Sequence, residues 1–119
     1  MKKSNKILGE MGEQLAVLFL KKNGYHVVAQ NWRTKHLEID IVAKTKDLLI
    51  FVEVKTRSNN RFVLPEEAVD QRKEDKLKLA AEAYVEQNEY MGEIRFDIIA
   101  IIKNKNEHKI THFKDAFWL

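Results

Sequence analysis

A carboxylate and an ammonium group stand two residues apart in a strongly apolar stretch of this 119-residue chain. Glu53 and Lys55 alternate with valines, so in a β-strand both side chains would lie on one face. Burying an unpaired charge costs several kcal/mol, and each group must therefore pair with another group or face a cleft. Asp40 stands in a similar setting, between two isoleucines. These three residues form either an ion-pair cluster at a sheet edge or a site that binds a cation.

The register of a β-hairpin predicts that Asp40 and Glu53 face each other. Lys46 and Asp47 form the predicted turn, so residues whose numbers sum to about 93 would be cross-strand neighbours. Two facing carboxylates repel unless a proton or a cation lies between them. That cation could be Lys55 or Mg²⁺, which prefers one or two carboxylates together with water and phosphate oxygens. A metal with a lysine beside it is suited to hydrolysis of a phosphodiester.

The elements that position these residues follow from the hydrophobic pattern, which predicts one domain over residues 1–119. The pattern indicates helices at residues 5–23 and 65–87, the second opened by Pro65. It indicates strands at residues 25–32, 38–44, 48–56, 94–102 and 109–113. Residues 57–64 are predicted to form a polar loop, and residues 116–119 an apolar tail docked on the body. The order αβββαβ(β) is typical of a mixed α/β fold in which helices flank a mixed sheet.

Alternation and helical spacing assign the buried sides of these elements. In the second strand, Ile39, Ile41 and Ala43 are predicted to share one face, and Asp40 the other with Val42. Apolar residues recur at helical spacing in the first helix, at Ile7, Leu8, Met11, Leu15, Leu18 and Phe19. In the second helix the predicted inward residues are Ala68, Leu77, Ala80, Ala81 and Tyr84.

Composition and charge exclude several classes of protein. An apolar fraction of 45% with 33% charged residues argues against membrane, fibrous and disordered chains. The chain has no cysteine, which excludes disulfides and thiolate zinc sites and, with no export signal, favours the cytoplasm. The net charge of +3 is uneven, because residues 1–33 carry +4 and residues 64–90 carry −4. This asymmetry permits a surface that faces a polyanion.

Six short motifs follow one another along the chain. They are Gly9-x-x-Gly12-Glu13-x-x-Ala16, Gly24-Tyr25, Asn31-x-Arg33, Glu38-Ile39-Asp40, Phe51-Val52-Glu53-Val54-Lys55-Thr56-Arg57 and Arg95-Phe96-Asp97. In this order and spacing they resemble the YraN family of small bacterial proteins, related to archaeal Holliday-junction resolvases and other PD-(D/E)XK nucleases. The resemblance covers nearly the whole chain and implies a restriction endonuclease-like fold. One departure is Leu37, where the family has glycine.

The resemblance also implies a function and assigns roles to individual residues. It implies a Mg²⁺- or Mn²⁺-dependent endonuclease acting on DNA, including branched or otherwise structured DNA. Asp40 and Glu53 correspond to the metal carboxylates, and the backbone carbonyl of Val54 could add a ligand. Lys55 corresponds to the catalytic lysine, and Glu13 to the acid of the first helix that supports the site.

Several alternatives stay open at the level of sequence. Glu10 lies one turn before Glu13 and could replace it, and Glu38 shares the predicted face of Asp40. Symmetric cleavage of a DNA junction would require a homodimer, although the sequence reveals no dimer surface. The rival function is a nucleic-acid-binding or protein-binding module that retains a nuclease-like site without efficient turnover.

Basic residues at predicted loop and helix-start positions could contact nucleic-acid phosphates. These residues are Arg33, Arg57, Arg61 and Lys73. Arg95 and Asp97 share a strand face two residues apart, so we expect them to pair with each other.

Overall fold

Two helices and five strands make up the part of the chain that the computed structural model describes, residues 2–58 and 69–118. The elements are α1 (Lys2–Lys22), β1 (His26–Thr34), β2 (Leu37–Thr45), β3 (Leu48–Arg57), α2 (Gln71–Gln87), β4 (Glu93–Lys103) and β5 (His108–Phe117). The predicted mixed α/β class and element order are confirmed. Neither α1 nor α2 is long and apolar enough to cross a membrane.

The five strands form one mixed sheet in the order β1-β2-β3-β4-β5. Neighbours are antiparallel except β3 and β4, which are parallel. A parallel pair needs a crossover connection, and α2 lies within the segment that carries the chain from the end of β3 to the start of β4. Strands β2, β3 and β4 are therefore interior, so the cluster of charged residues on β2 and β3 is not at a sheet edge.

The β2–β3 hairpin has the register predicted from its turn. Ile41 pairs with Val52 and Val42 with Phe51, so the paired numbers sum to 93. Lys46, in the turn, adopts a left-handed conformation with φ of 50°. The ladder ends at the pair Ile41–Val52, and the next positions are Asp40 and Glu53.

The two helices cover opposite faces of the sheet. On one face α1 contributes Ala16 and Leu20 to a buried cluster with the sheet residues Ile41, Ala43, Ile50, Val52, Ile99 and Ile101. On the other face α2 contributes Leu77, Ala80 and Ala81 to a cluster with Val42, Leu49, Phe51, Phe96, Ile98, Ala100 and Phe117. Fully burying one large apolar side chain stabilises the fold by roughly 1.5–3 kcal/mol. These two layers hold the sheet rigidly between the helices.

The predicted assignment of Ile39 to the face of Ile41 is wrong. Ile39 is buried in the α2-side cluster with Val42, whereas Ile41 is buried in the α1-side cluster. Alternation fails at Asp40, because its carboxylate lies between β2 and β3 and accepts the Val54 N–H at 2.8 Å. The irregularity that breaks the pattern is therefore at the candidate site itself.

The second helix does not run unbroken over its predicted range, because residues 69 and 70 are not helical. Helix α2 begins at Gln71, because Asp70 is extended (φ −82°, ψ 174°) and its carboxylate caps the helix by accepting the Lys73 N–H. Pro65 and Ala68 lie outside the described residues. The predicted inward positions from Leu77 onward are confirmed, with Tyr84 half-buried.

The C-terminal segment differs from the predicted docked tail. Strand β5 runs to Phe117, so two of the four predicted tail residues belong to the sheet. Phe117 is buried and stacks on Phe96, with ring centroids 5.0 Å apart. Trp118 is exposed, and Leu119 lies outside the described residues.

A buried polar network joins β4 and β5. Asp97 is the one fully buried charged residue among those described. Its two oxygens accept two bonds from Arg95, each 2.7 Å, and further bonds from His112 Nε2 and the Asp115 N–H. Burial pushes the pKa of Asp97 upward, but these bonds together hold it below its ordinary value. The predicted pairing of Arg95 with Asp97 is confirmed.

Helix α1 approaches β3 closely because residue 12 has no side chain. A Cβ atom added at Gly12 would lie only 2.8 Å from the Cβ of Thr56, well inside a normal contact. At Gly9, one turn earlier, an added Cβ would meet nothing within 4 Å. Gly12 thus sets the distance between α1 and the strand that carries Glu53.

We expect Gly12→Ala to destabilise the protein, because α1 must move away from Thr56 to accept the methyl group. The expected loss is roughly 1–3 kcal/mol in the free energy of unfolding. Gly9→Ala is the matched control, and it should be neutral or stabilising by up to about 1 kcal/mol. Urea denaturation of both variants measures the difference, and equal stabilities would contradict the close-approach argument.

Candidate active site

A cleft of about 370 Å³ opens where the β2–β3 ladder ends. All three layers of the fold contribute to its wall: α1, the strands β2 and β3, and the first turns of α2. The charged residues that line it are Glu13, Glu38, Asp40, Glu53, Lys73 and Lys76. Four of these six are acids, so the cleft is suited to a cation.

The carboxyl groups of Asp40 and Glu53 are in hydrogen-bond contact inside this cleft. Burial, and then the charge of Asp40, raise the pKa of Glu53 to about 8. Burial also raises the pKa of Asp40, against the lowering effect of its bond from the Val54 N–H. Two such acids take up a proton more readily than either would in water, and that proton belongs to the pair and not to one residue.

Lys73 is the cation that pairs with this acidic pair. Its ammonium group lies 3.6 Å from Glu53 Oε1, and half of its side chain is exposed. The first turn of α2, capped by Asp70, positions it. The sequence predicts that Lys73 contacts phosphates and does not place it beside the carboxylates, because its distance from Glu53 depends on how α2 packs across the sheet.

Lys55 lies two residues beyond Glu53 on β3 and lines a groove that adjoins the cleft. It lines this groove together with Thr56 and Arg57. Burial, and then the positive charges of Lys73 and Arg57, lower its pKa, while Glu53 acts in the opposite direction. Lys55 is therefore a partly desolvated ammonium group crowded by other cations.

Of the two candidate acids on α1, Glu13 lines the cleft and Glu10 is exposed. Glu13 is hydrogen-bonded to the side chain of Asn31, and burial, followed by the charge of Asp40, raises its pKa. No role was predicted for Asn31, and the signal in the sequence is its place in the Asn31-x-Arg33 motif. Its backbone is left-handed, with φ of 50° inside β1, a conformation that suits asparagine.

The remaining predicted phosphate contacts differ in their positions. Arg33 is exposed at the rim of the cleft and pairs with Glu38, Nε to Oε2, at 2.9 Å. Arg57 ends β3 and lies in the adjoining groove, outside the acidic cleft. Arg61 lies outside the described residues. The structure thus brings Glu13, Asp40, Glu53 and Lys73 together, with Lys55 next to them.

The donor atoms fit a hard divalent cation better than zinc. Within residues 2–58 and 69–118, no three acidic or histidine side chains converge as metal ligands. The available set is two carboxylates with Val54, which lines the cleft beside them. Mg²⁺ binds readily to one or two carboxylates while it keeps water or takes phosphate oxygens, whereas zinc requires three or four protein ligands.

Comparison with known proteins gives consistent matches. The model of the family described as "Uncharacterised protein family UPF0102" matches residues 12–101. The chain is 47% identical to the UPF0102 protein FP2501 of Flavobacterium psychrophilum over 111 residues, which are 93% of each chain. It is 42% identical to a UPF0102 protein of Syntrophomonas wolfei over 114 residues, 95% of this chain and 99% of the relative.

We expect Glu53→Gln to stabilise the metal-free protein at alkaline pH. An acid whose pKa is raised by folding destabilises the fold as the pH rises from its ordinary pKa towards the raised one. Stability of the wild-type chain should therefore fall between about pH 5 and pH 9. Glutamine keeps a donor to Asp40 but does not ionise, so the variant should gain roughly 2–4 kcal/mol at the upper pH.

Urea denaturation in EDTA at both pH values measures this difference. Glu10→Gln removes an exposed acid of α1 that lies outside the cleft, and it serves as the control. If the free energies of unfolding of Glu53→Gln and Glu10→Gln depend on pH in the same way, Glu53 does not have a raised pKa in the folded protein.

Proposed function

The chain belongs to the uncharacterised protein family UPF0102, the family that its motifs resemble, and from its site we propose a metal-dependent endonuclease. The proposed reaction is hydrolysis of DNA phosphodiester bonds, including those of branched or structured DNA. The proposed fold is restriction endonuclease-like, within the PD-(D/E)XK superfamily. The mixed five-stranded sheet between two helices is compatible with that fold.

The observation that carries the proposal is the contact between the Asp40 and Glu53 carboxyl groups. Both are largely buried, and both have pKa values raised by that burial. Such a pair weakens the fold near neutral pH, because it must either take up a proton or remain mutually repulsive. Structural stability gives no reason to hold two acids in this way, whereas a bound cation does.

Asp40, Glu53 and the backbone carbonyl of Val54 would hold Mg²⁺ or Mn²⁺. Such an ion supplies a Lewis acid that polarises a phosphate and lowers the pKa of water. Glu13 lines the same cleft with Asn31 bonded to it, and it would orient water or a ligand from the α1 side. The chain therefore supplies acidic groups from three elements to the wall of one cleft.

Lys55 and Lys73 supply the positive charges on which hydrolysis depends. A water oxygen attacks phosphorus, one P–O ester bond breaks, and the leaving oxygen takes a proton. Negative charge grows on the phosphate oxygens during this step, and the Lys55 ammonium would donate hydrogen bonds to them. Lys73 and Arg33 lie in and beside the cleft, where they would contact phosphates of the DNA backbone.

The rival function, a nucleic-acid-binding or protein-binding module, has one observation in its favour. The Lys73 ammonium already partly neutralises Glu53, and the raised pKa values of the two acids favour uptake of a proton. The site therefore has a compensated state without metal. A module of this kind would bind its partner and release it unchanged. A single copy of the site suffices for either function, and a homodimer is required only for symmetric cleavage of branched DNA.

We expect Asp40→Asn to weaken binding of Mg²⁺ and Mn²⁺ at least about tenfold, since it removes one of two anionic ligands. Asparagine retains an oxygen acceptor for the Val54 N–H, so the hairpin should stay folded. Isothermal titration calorimetry of the wild type, Asp40→Asn and the control Glu10→Gln measures the effect. Equal affinities for all three proteins would remove the metal from the proposal.

We expect Lys55→Met to slow cleavage by on the order of 100-fold while folding, metal binding and DNA binding persist. Methionine keeps most of the aliphatic stem and removes only the charge. Cleavage of a panel of linear and branched DNA with Mg²⁺ and then Mn²⁺ measures the rate, with Lys22→Met as the control. If the wild type cuts none of these DNAs and Lys55→Met unfolds at a much lower temperature, the protein is a binding module and not an enzyme.

A further inference from the structure

A second groove, of about 400 Å³, adjoins the acidic cleft. Glu13, Val54 and Lys73 line both depressions, so the two are continuous around the end of β3. The first turns of α1 form the opposite wall, where Asn5, Leu8 and Gly9 line the groove.

The charge of this groove is opposite to that of the cleft. Three of its lining residues, Lys55, Arg57 and Lys73, are cations, and Glu13 is the one acid among the described residues that line it. The cations are close enough to each other that Lys73 and Arg57 both lower the pKa of Lys55, after burial. A cluster of mutually repelling cations becomes more stable when an anion lies among them.

One donor of this cluster is without an acceptor in the part of the chain that the structure describes. The Nε–H of Arg57 is buried and has no hydrogen-bond partner within residues 2–58 and 69–118. A buried donor without an acceptor costs roughly 1–3 kcal/mol, so native structures seldom retain one without a reason. Arginine is also the side chain whose geometry best matches a phosphate group.

The α1 wall of the groove is open at Gly9. Gly9 lines the groove, and a Cβ atom added to it would meet nothing within 4 Å. A longer side chain at residue 9 would therefore extend into the groove without disturbing the core. This position offers a way to block the groove from one side while Arg57 is left unchanged.

We propose that this groove binds a second phosphate of the nucleic-acid backbone, with Arg57 as its ligand. The DNA strand then runs from the acidic cleft past Val54 and Lys73 into the groove, towards the start of α1. The inference rests on the proposed function only in taking DNA as the ligand. It concerns binding and not cleavage, and the two can be tested separately.

Binding of a short fluorescein-labelled DNA duplex in EDTA, followed by anisotropy, tests the groove without metal or turnover. Arg57→Met should lower the affinity about tenfold and reduce the slope of log K against log salt by about 0.9, the value for one phosphate. Lys22→Met, at the exposed C-terminal end of α1, removes the same charge and should leave both quantities unchanged.

A second series blocks the groove from its other wall. Gly9→Glu should weaken binding more than Gly9→Gln, since both fill the groove and one adds a negative charge. Gly9→Ala should bind as the wild type does. Unfolding curves of all variants verify that each is folded at the assay temperature.

The proposed phosphate site is contradicted if Arg57→Met and Gly9→Glu bind DNA like the wild type, or if the wild type binds no DNA at low salt. If binding follows the expected pattern but the wild type cuts no DNA with Mg²⁺ or Mn²⁺, the phosphate site in the groove is supported and the nuclease activity is contradicted. If the wild type cuts DNA and the variants bind it unchanged, the nuclease activity is supported and the phosphate site is contradicted.

Discussion

The hydrogen bond from the Val54 N–H to the Asp40 carboxylate organises the candidate site. Between interior strands this donor would ordinarily meet a backbone carbonyl, and here a side chain takes that place. This bond to a side chain ends the β2–β3 ladder. Ile39 lies on the opposite side of the sheet from Ile41, and Asp40 lies against Glu53. A cleft in the middle of a sheet requires such a local interruption, because a continuous ladder leaves no room between strands.

The rest of the fold supports this interruption from both faces. On one side Gly12 lets α1 lie close to Thr56, which places Glu13 at the cleft. On the other side the Asp70 cap fixes the start of α2, which places Lys73 near Glu53. The unfavourable contact between two acids is held in place by packing elsewhere, in two apolar layers that contain almost all the buried residues.

The features that depended on local sequence were predictable, and those that depended on long-range packing were not. The hairpin register followed from the turn at residues 46 and 47, so the facing of Asp40 and Glu53 followed as well. To predict the position of Lys73, one would need to know the path of α2 across the sheet. To predict the role of Gly12, one would need to know that Thr56, far along the chain, packs against it. Strict alternation gave Ile39 the wrong side because that rule assumes an uninterrupted strand.

Helix α1 also links the cleft to the Asp97 network on β4, where Asp97 pairs with Val52 of β3. Phe19 lies six residues beyond Glu13 on the same helix, about 9 Å along its axis. Its ring meets the imidazole of His112 edge to face, with centroids 5.9 Å apart, and Tyr25 meets the same imidazole from another side at 5.8 Å. His112 Nε2 is fixed on ionised Asp97, which selects one tautomer. Any tilt of α1 would therefore change the magnetic environment of a single, well-defined imidazole, which makes His112 a native spectroscopic gauge of helix position.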